Sequence, residues 1–111
     1  MKKPIVIEQE FHRQAGPREM YGWVKILGQF GNKFALNNMH DWPTEYDEER
    51  YINAIRGGIL AAFQELNIKN PFGNFEILEA RFSSNGQANV PFAYKEAAKR
   101  AAVKIAKEWT E

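Results

Sequence analysis

Residues 44–66 hold the longest run in the chain with a single clear period, and the rest of the sequence can be read as a layer that covers it. Apolar side chains fall at Ile52, Ile55, Ile59, Ala62, Phe63 and Leu66. Steps of three and four residues put them on one stripe of an α-helix. Asp47, Glu48, Arg50, Arg56, Gln64 and Glu65 take the other face. Thr44 with Asp47 reads as a capping box with a shorter acid, and Glu45, Asp47, Glu48 and Glu49 suit the positive end of the helix dipole. Asn67 and then Pro71 end the helix. Gly57-Gly58 lies inside it, where each glycine costs about 1 kcal/mol relative to alanine. Close packing of the helix backbone against a sheet or a second helix accounts for that pair.

The segments around this helix alternate or turn. Ile5 to Arg13 is a half-buried strand, with Ile5, Ile7, Gln9 and Phe11 on one face and Val6, Glu8, Glu10 and His12 on the other. Gln14 to Met20 breaks the pattern around Gly16-Pro17 and reads as a loop. Tyr21 to Phe30 is a second strand, with Tyr21, Trp23, Lys25 and Leu27 opposite Gly22, Val24, Ile26 and Gly28. Its glycines admit another backbone or mark a bulge. After Gly31-Asn32, residues 33–38 form a short third strand, expected to return as an antiparallel hairpin or meander.

Beyond the helix, Asn70 to Asn74 is a tight loop and Phe75 to Phe82 a fourth strand. Leu78, Ala80 and Phe82 are assigned to one face of that strand, and Phe75, Ile77, Glu79 and Arg81 to the other. Ser83 to Asn89 is a polar loop with Asn85-Gly86 as its turn signal. Pro91 opens a last helix that runs to about Trp109 and buries Tyr94, Ala97, Ala98, Ala101, Ile105 and Trp109. Its alanines permit close packing against the glycines of the first helix. The order β-β-β-α-β-α predicts an α+β two-layer sandwich, a four-stranded sheet with two helices on one face, forming a single domain over residues 1–111.

With 44% hydrophobic and 26% charged residues, the chain has the composition of a globular domain. The formal charge of +1 gives no global attraction for a polyanion, so such a partner must be met by local patches. The absence of cysteine excludes disulfides, thiol catalysis and cysteine–metal sites, and fits a reducing cytoplasm. The apolar run Ile5-Val6-Ile7 is too short for a signal peptide, and no transmembrane segment follows, so no membrane partner is expected.

Few residues suggest catalysis. Glu8, Glu10 and His12 share a strand face at period two, a pattern open to acid–base or metal chemistry, but a solvated strand face is the simpler reading. His40-Asp41 lacks a third ligand nearby. No phosphate-loop, zinc-protease or nucleophile-elbow motif occurs. The expectation is a non-catalytic chain with no cofactor. Lys95, Lys99, Arg100, Lys104 and Lys107 line the charged face of the last helix, either as a solvated face or as a phosphate-contacting surface. Arg13, Gln14 and Arg18 belong to the first loop, and Asn85 and Gln87 to the second. If both loops lie at one end of the sheet, they form a polar tip with cations, suited to RNA backbone and single-stranded bases. Tyr21, Trp23 and Phe30 read as core or sheet-surface packing rather than stacking platforms.

Gln14-x-Gly16-x-Arg18-x-x-Tyr21-Gly22 resembles the glycine-containing loop that enters a strand in domain IV of translation elongation factor G and related ribosomal GTPases. Pro43, Tyr51, Ala54 and Gly58-Ile59 resemble the start of that domain's long helix. Asn70 to Phe82 resembles its following loop and strand, and Ala93-Tyr94-Lys95 the opening of its last helix. The resemblance runs in order along nearly the whole chain. Departures are Pro17 and Glu19 among the loop glycines, and no histidine in the second loop. The resemblance implies the fold of the ribosomal protein S5 second-domain superfamily, with a left-handed β-α-β crossover, an exception to the usual hand. It also implies a non-catalytic arm whose tip, here residues 14–20 with 83–89, reaches the ribosomal decoding region. Two expectations follow. One is a module that binds the ribosome or structured RNA through Arg13, Gln14, Arg18, Asn85, Gln87, Lys95, Lys99 and Arg100. The other is a protein-interaction or self-assembling domain without a nucleic-acid partner.

Overall fold

The computed structural model describes residues 2–111. It contains strands β1 (Ile5–Ala15), β2 (Arg18–Gln29) and β3 (Ala35–Asn38), helix α1 (Glu48–Glu65), strand β4 (Asn74–Arg81) and helix α2 (Pro91–Thr110). The four strands form one mixed sheet in the order β1-β2-β4-β3. Both helices pack on one of its faces, which makes the expected two-layer α+β sandwich.

The core follows the predicted periods. Val24 and Ile26 of β2 and Phe75, Ile77 and Ala80 of β4 are buried beneath Tyr51, Ile55, Ile59, Ala62 and Phe63 of α1. Tyr94, the alanines from 93 to 106, Ile105 and Trp109 complete it from α2. Small residues let the backbones approach. A Cβ on Gly58 of α1 would stand on the Lys95 carbonyl of α2, with the Lys95 carbonyl carbon 3.0 Å and the Lys99 nitrogen 3.1 Å away. A Cβ on Gly22 of β2 would lie 2.7 Å from the Ala93 carbonyl carbon. The first helix therefore meets the second through Gly58, and the second meets the sheet through Gly22.

Five sequence expectations are corrected. Gln14 to Met20 is not an open loop. Its residues extend β1 and β2 to a two-residue turn at Gly16-Pro17, closed by the pair Ala15 and Arg18. Of the two turn residues only Gly16 has positive φ (60°), the pattern of a type II′ hairpin. The third strand does not return antiparallel on β2; β3 runs parallel to β4. At four residues, β3 has too few side chains to fix its partner locally, and its Leu36 joins the core beside Phe75.

The faces of β4 are also redrawn. Lys25 pairs with Glu79 while Ile26 pairs with Ile77, so Leu78 is an extra residue in the ladder. That bulge flips the alternation, and Phe75 and Ile77 share the buried face with Ala80. The cap of α1 is Asp47, whose carboxylate accepts from the Arg50 nitrogen at 3.4 Å, while Thr44 lies in a preceding turn. The buried stripe of α1 starts at Tyr51, with Ile52 and Leu66 only partly buried at its margins.

The end of α1 is as expected. Asn67 takes φ 60°, its N–H bonds Gln64 O, and the Ile68 N–H bonds Phe63 O at 2.8 Å, which together make a Schellman motif.

Candidate nucleic-acid interface

β4 pairs with β2 only as far as Trp23 and Arg81, so beyond that point the hairpin continues as a two-stranded ribbon without β4 beside it. At about 3.3 Å per residue, it reaches roughly 20 Å past its last pairing with β4. Strand alternation fixes what the ribbon presents. Phe11 and Gly22 are paired and buried under α2, so Arg13, Ala15, Arg18 and Met20 continue along that helix-facing side. Gln14, paired with Glu19, takes the opposite side.

The second loop folds back to meet the ribbon. Phe82 and Tyr46 stack at 4.0 Å, and Tyr51, Tyr94 and Trp42 close around them into an aromatic knot at the loop's root. Tyr94, fully buried, donates to the Arg81 carbonyl at 2.7 Å and ties α2 to the end of β4; burial pushes its phenol upward in pKa. Asn89, 4% exposed, braces the loop. Its side-chain oxygen accepts from Ser83 N at 2.8 Å, and its amide donates to Ser83 O at 2.9 Å and to Tyr46 OH at 3.1 Å. Tyr51 OH donates to the Asn89 carbonyl. A 3-10 turn at Gly86–Ala88, capped by Asn85, finishes the loop.

The two tip segments converge. The Asn85 amide lies 3.4 Å from Glu19 Oε1, and Glu19 Oε2 lies 3.1 Å from His12 Nε2. Between ribbon, loop and the start of α2 lies a cleft of about 660 Å³, lined by Arg13, Arg18, Asn85 and Gln87 together with Pro17, Glu19, Met20 and Val90. Four of the eight site residues read from the sequence thus share one concavity. Gln14 belongs to the ribbon but not to the cleft. Lys95, Lys99 and Arg100 do not line it either.

Lys99 and Arg100 face a separate shallow groove of about 560 Å³ on α2, with Lys104, Lys107, Gln9, Glu65, Glu96 and Val103. Lys99 sits 3.6 Å from Glu65 and 4.0 Å from Glu96, so two carboxylates offset its charge. Arg100 lies over the Phe11 ring at 4.9 Å, and Lys104 donates to Gln9 at 2.6 Å. Lys95 extends over α1 beside Gly57. Sequence reasoning missed Glu19 as the bridge and Asn89 as the brace; the only signal for Asn89 was a polar residue directly before Val90-Pro91.

The uncovered face of the sheet has the opposite charge. Glu8, Lys25 and Glu79 lie in one cross-strand row, and Glu10, Trp23 and Arg81 in the next. Arg81 covers the Trp23 ring at 3.9 Å and bonds Glu79 at 2.9 Å, which holds that carboxyl below the usual carboxylate range. Trp23 is only 8% exposed, so it packs on the sheet surface and offers no free ring face for stacking. With Glu19 and Glu76 on the same side, carboxylates outnumber the two cations, Lys25 and Arg81. Among the described residues no group of three or more His, Asp or Glu is placed to hold a metal ion, and no helix is long and apolar enough to cross a membrane.

No protein-family model and no curated protein matches the chain. Its fold is similar to part of a solved structure, that of a protein from Thermus thermophilus, with a TM-score of 0.76 and 18% identity over 93% of this chain. The match spans 16% of that chain, so this chain corresponds to a small part of a far longer protein. At this identity the likeness establishes the fold alone.

Proposed function

We propose that this chain is a non-catalytic module, similar to domain IV of elongation factor G and of the ribosomal protein S5 second-domain type, that binds structured RNA or the ribosome through its tip. One observation carries the reading: ribbon and second loop meet in a single cleft that holds Arg13 and Arg18 beside the amides of Asn85 and Gln87. Guanidinium groups suit phosphate oxygens, and side-chain amides suit base edges and sugar hydroxyls. The face distribution supports the same approach, because the acidic open sheet repels a polyanion while the tip and the α2 face carry the cations.

The test is co-sedimentation with ribosomes, and separately with free structured RNA, across a salt series. Arg13→Glu/Arg18→Glu should weaken binding and lower the salt slope by about 0.7–0.9 for each phosphate no longer neutralised. Lys99→Glu should do less, since Glu65 and Glu96 already offset that lysine. Binding to ribosomes but not to free RNA would assign the surface to an assembled ribosomal site. Unchanged binding in the double variant would refute the tip as the contact.

A second reading, a protein-interaction or self-assembling domain, draws on the uncovered sheet face and on two half-exposed side chains, Val6 of β1 and Phe92 of α2, which meets Phe11 edge-on. Light scattering over a concentration series that stays monomeric, with no RNA-independent partner, would count against it.

A further inference from the structure

We propose that Asn85-Gly86 is a site of spontaneous intramolecular deamidation, a chemical modification built into the tip. It is the only Asn-Gly step in the sequence. The reaction needs a backbone nitrogen free to attack the preceding side-chain amide, and the structure supplies one. Gly86 is exposed, its N–H makes no hydrogen bond among the described residues, and nothing lies within 4 Å of where its Cβ would be. The Asn85 side chain is exposed and held only at the long end of hydrogen-bond distances, 3.2 Å to the Gln87 nitrogen and 3.4 Å to Glu19.

Four other asparagines fare worse. Asn70 precedes Pro71, which has no N–H; Asn89 is buried before the β-branched Val90; Asn53 sits inside α1, and Asn74 opens β4 before Phe75. The chemistry balances with water as the only co-reactant. The Gly86 nitrogen bonds to Cγ of Asn85, the Cγ–Nδ2 bond breaks, and Nδ2 leaves as ammonia with the proton from the Gly86 nitrogen. Water then opens the succinimide at either carbonyl, giving an aspartate or an isoaspartate. Either product replaces the amide donor facing Glu19 with a carboxylate. Two like charges at hydrogen-bond distance repel, so the bridge between loop and ribbon is lost. If the tip binds RNA, the same change also cancels the cationic excess of Arg13 and Arg18 over Glu19.

The test holds the folded full chain at mildly alkaline pH and maps peptides by mass spectrometry with an isoaspartate assay, beside Gly86→Ala and Asn85→Gln. Alanine fits at position 86 because the space is open and φ is not positive there. Expected is an amide-to-acid mass change at Asn85 that grows with time, carries an isoaspartate signal, and is suppressed in both variants. A denatured sample serves as the control. Modification of Asn85 in the denatured but not the folded chain would overturn the proposal, since the fold would then protect the site. Equal modification at Asn32 or Asn37, or none at Asn85 in either sample, would overturn it as well.

Discussion

Gly57 and Gly58 are neighbours in α1, yet the same substitution should change stability in opposite directions. A methyl at Gly58 would fall on the Lys95 carbonyl of α2, with the carbonyl carbon at 3.0 Å and the Lys99 nitrogen at 3.1 Å. These are backbone atoms of a packed helix, so no side chain can swing away. The helices must part, and a gap of about 0.5–1 Å forfeits a quarter to a half of the dispersion attraction along the seam. The buried residues of α2 include Ala97, Ala98, Ala101 and Ala102, whose small side chains allow so close an approach. Overpacking of this kind costs about 1–3 kcal/mol, and more where backbones collide. Replacing a mid-helix glycine returns about 1 kcal/mol of helix propensity. Gly58→Ala should therefore lose about 2 kcal/mol net, a large share of the roughly 5–15 kcal/mol of a domain this size.

A methyl at Gly57 meets only the flexible Lys95 Cε, at 3.9 Å, which is ordinary contact. Gly57→Ala should then gain about 0.5–1 kcal/mol from propensity alone. Urea unfolding with both variants reads the two signs against wild type, and at about 4 °C per kcal/mol the midpoints should separate by roughly 10 °C in a thermal melt. A Gly58→Ala protein as stable as wild type, or a Gly57→Ala protein that is weaker, would refute the account of the helix seam.

Three further outcomes follow from the same structure. Asn89→Ala leaves the Ser83 N–H and carbonyl without their partners, so it should cost about 2–3 kcal/mol and speed amide exchange across residues 83–89; unchanged exchange would mean the loop is held by something else. Asp47→Ala should cost about 1 kcal/mol as a lost helix cap, while Thr44→Ala should stay within about 0.5 kcal/mol; reversed effects in chemical unfolding would restore Thr44 as the cap. Burial lowers the pKa of His40 against the opposing pull of Glu79 and Asp41, so the unfolded chain binds its proton more readily. Its contribution to stability is full above about pH 6.5 and is lost as pH falls below that through the folded-state value. His40→Gln should flatten that part of the stability profile, and an unchanged slope would count against the assignment.

The elements whose period is long and unbroken were legible. Both helices, the buried face of α2, the middle of the α1 stripe and the Asn67 stop follow from residue spacing, and the glycines of β2 announce a close approach. What failed depends on single residues or on distant pairing. Leu78 inserts one position into β4, and a period of two cannot survive one insertion, so plain alternation assigns Phe75 and Ile77 away from Ala80. β3 is short enough that its parallel pairing is decided by the crossover through α1 and by Leu36 packing beside Phe75, neither of which is local. Gly16-Pro17 marks the turn correctly, but how far the strands run past the sheet depends on where β4 stops. For the site, alternation from Phe11 already puts Arg13 on the helix side. Its meeting with Asn85 requires the path of a loop whose brace, Asn89, looks like any other polar loop residue.

The placement of the tip separates two demands on this small chain. Most of its buried contacts lie between sheet and helices, from Gly22 down to Trp109, and ribbon and second loop extend past them, anchored by Met20, Ala88 and Asn89. Side chains such as Arg13 and Arg18 therefore have little to do with core packing and can be changed at little cost in stability, whereas Asn89 and Tyr94 cannot, because they fix where the loop leaves the core. That division gives the function experiments their meaning. A loss of binding on reversing Arg13 and Arg18, with the melting curve unchanged, reports on the surface itself. A loss on changing Asn89 reports on the scaffold that presents it. The acidic rows of Glu8, Glu10 and Glu79 add a directional constraint: a polyanion that binds must come from the tip or the α2 side, and a partner seated on the open sheet would have to be cationic.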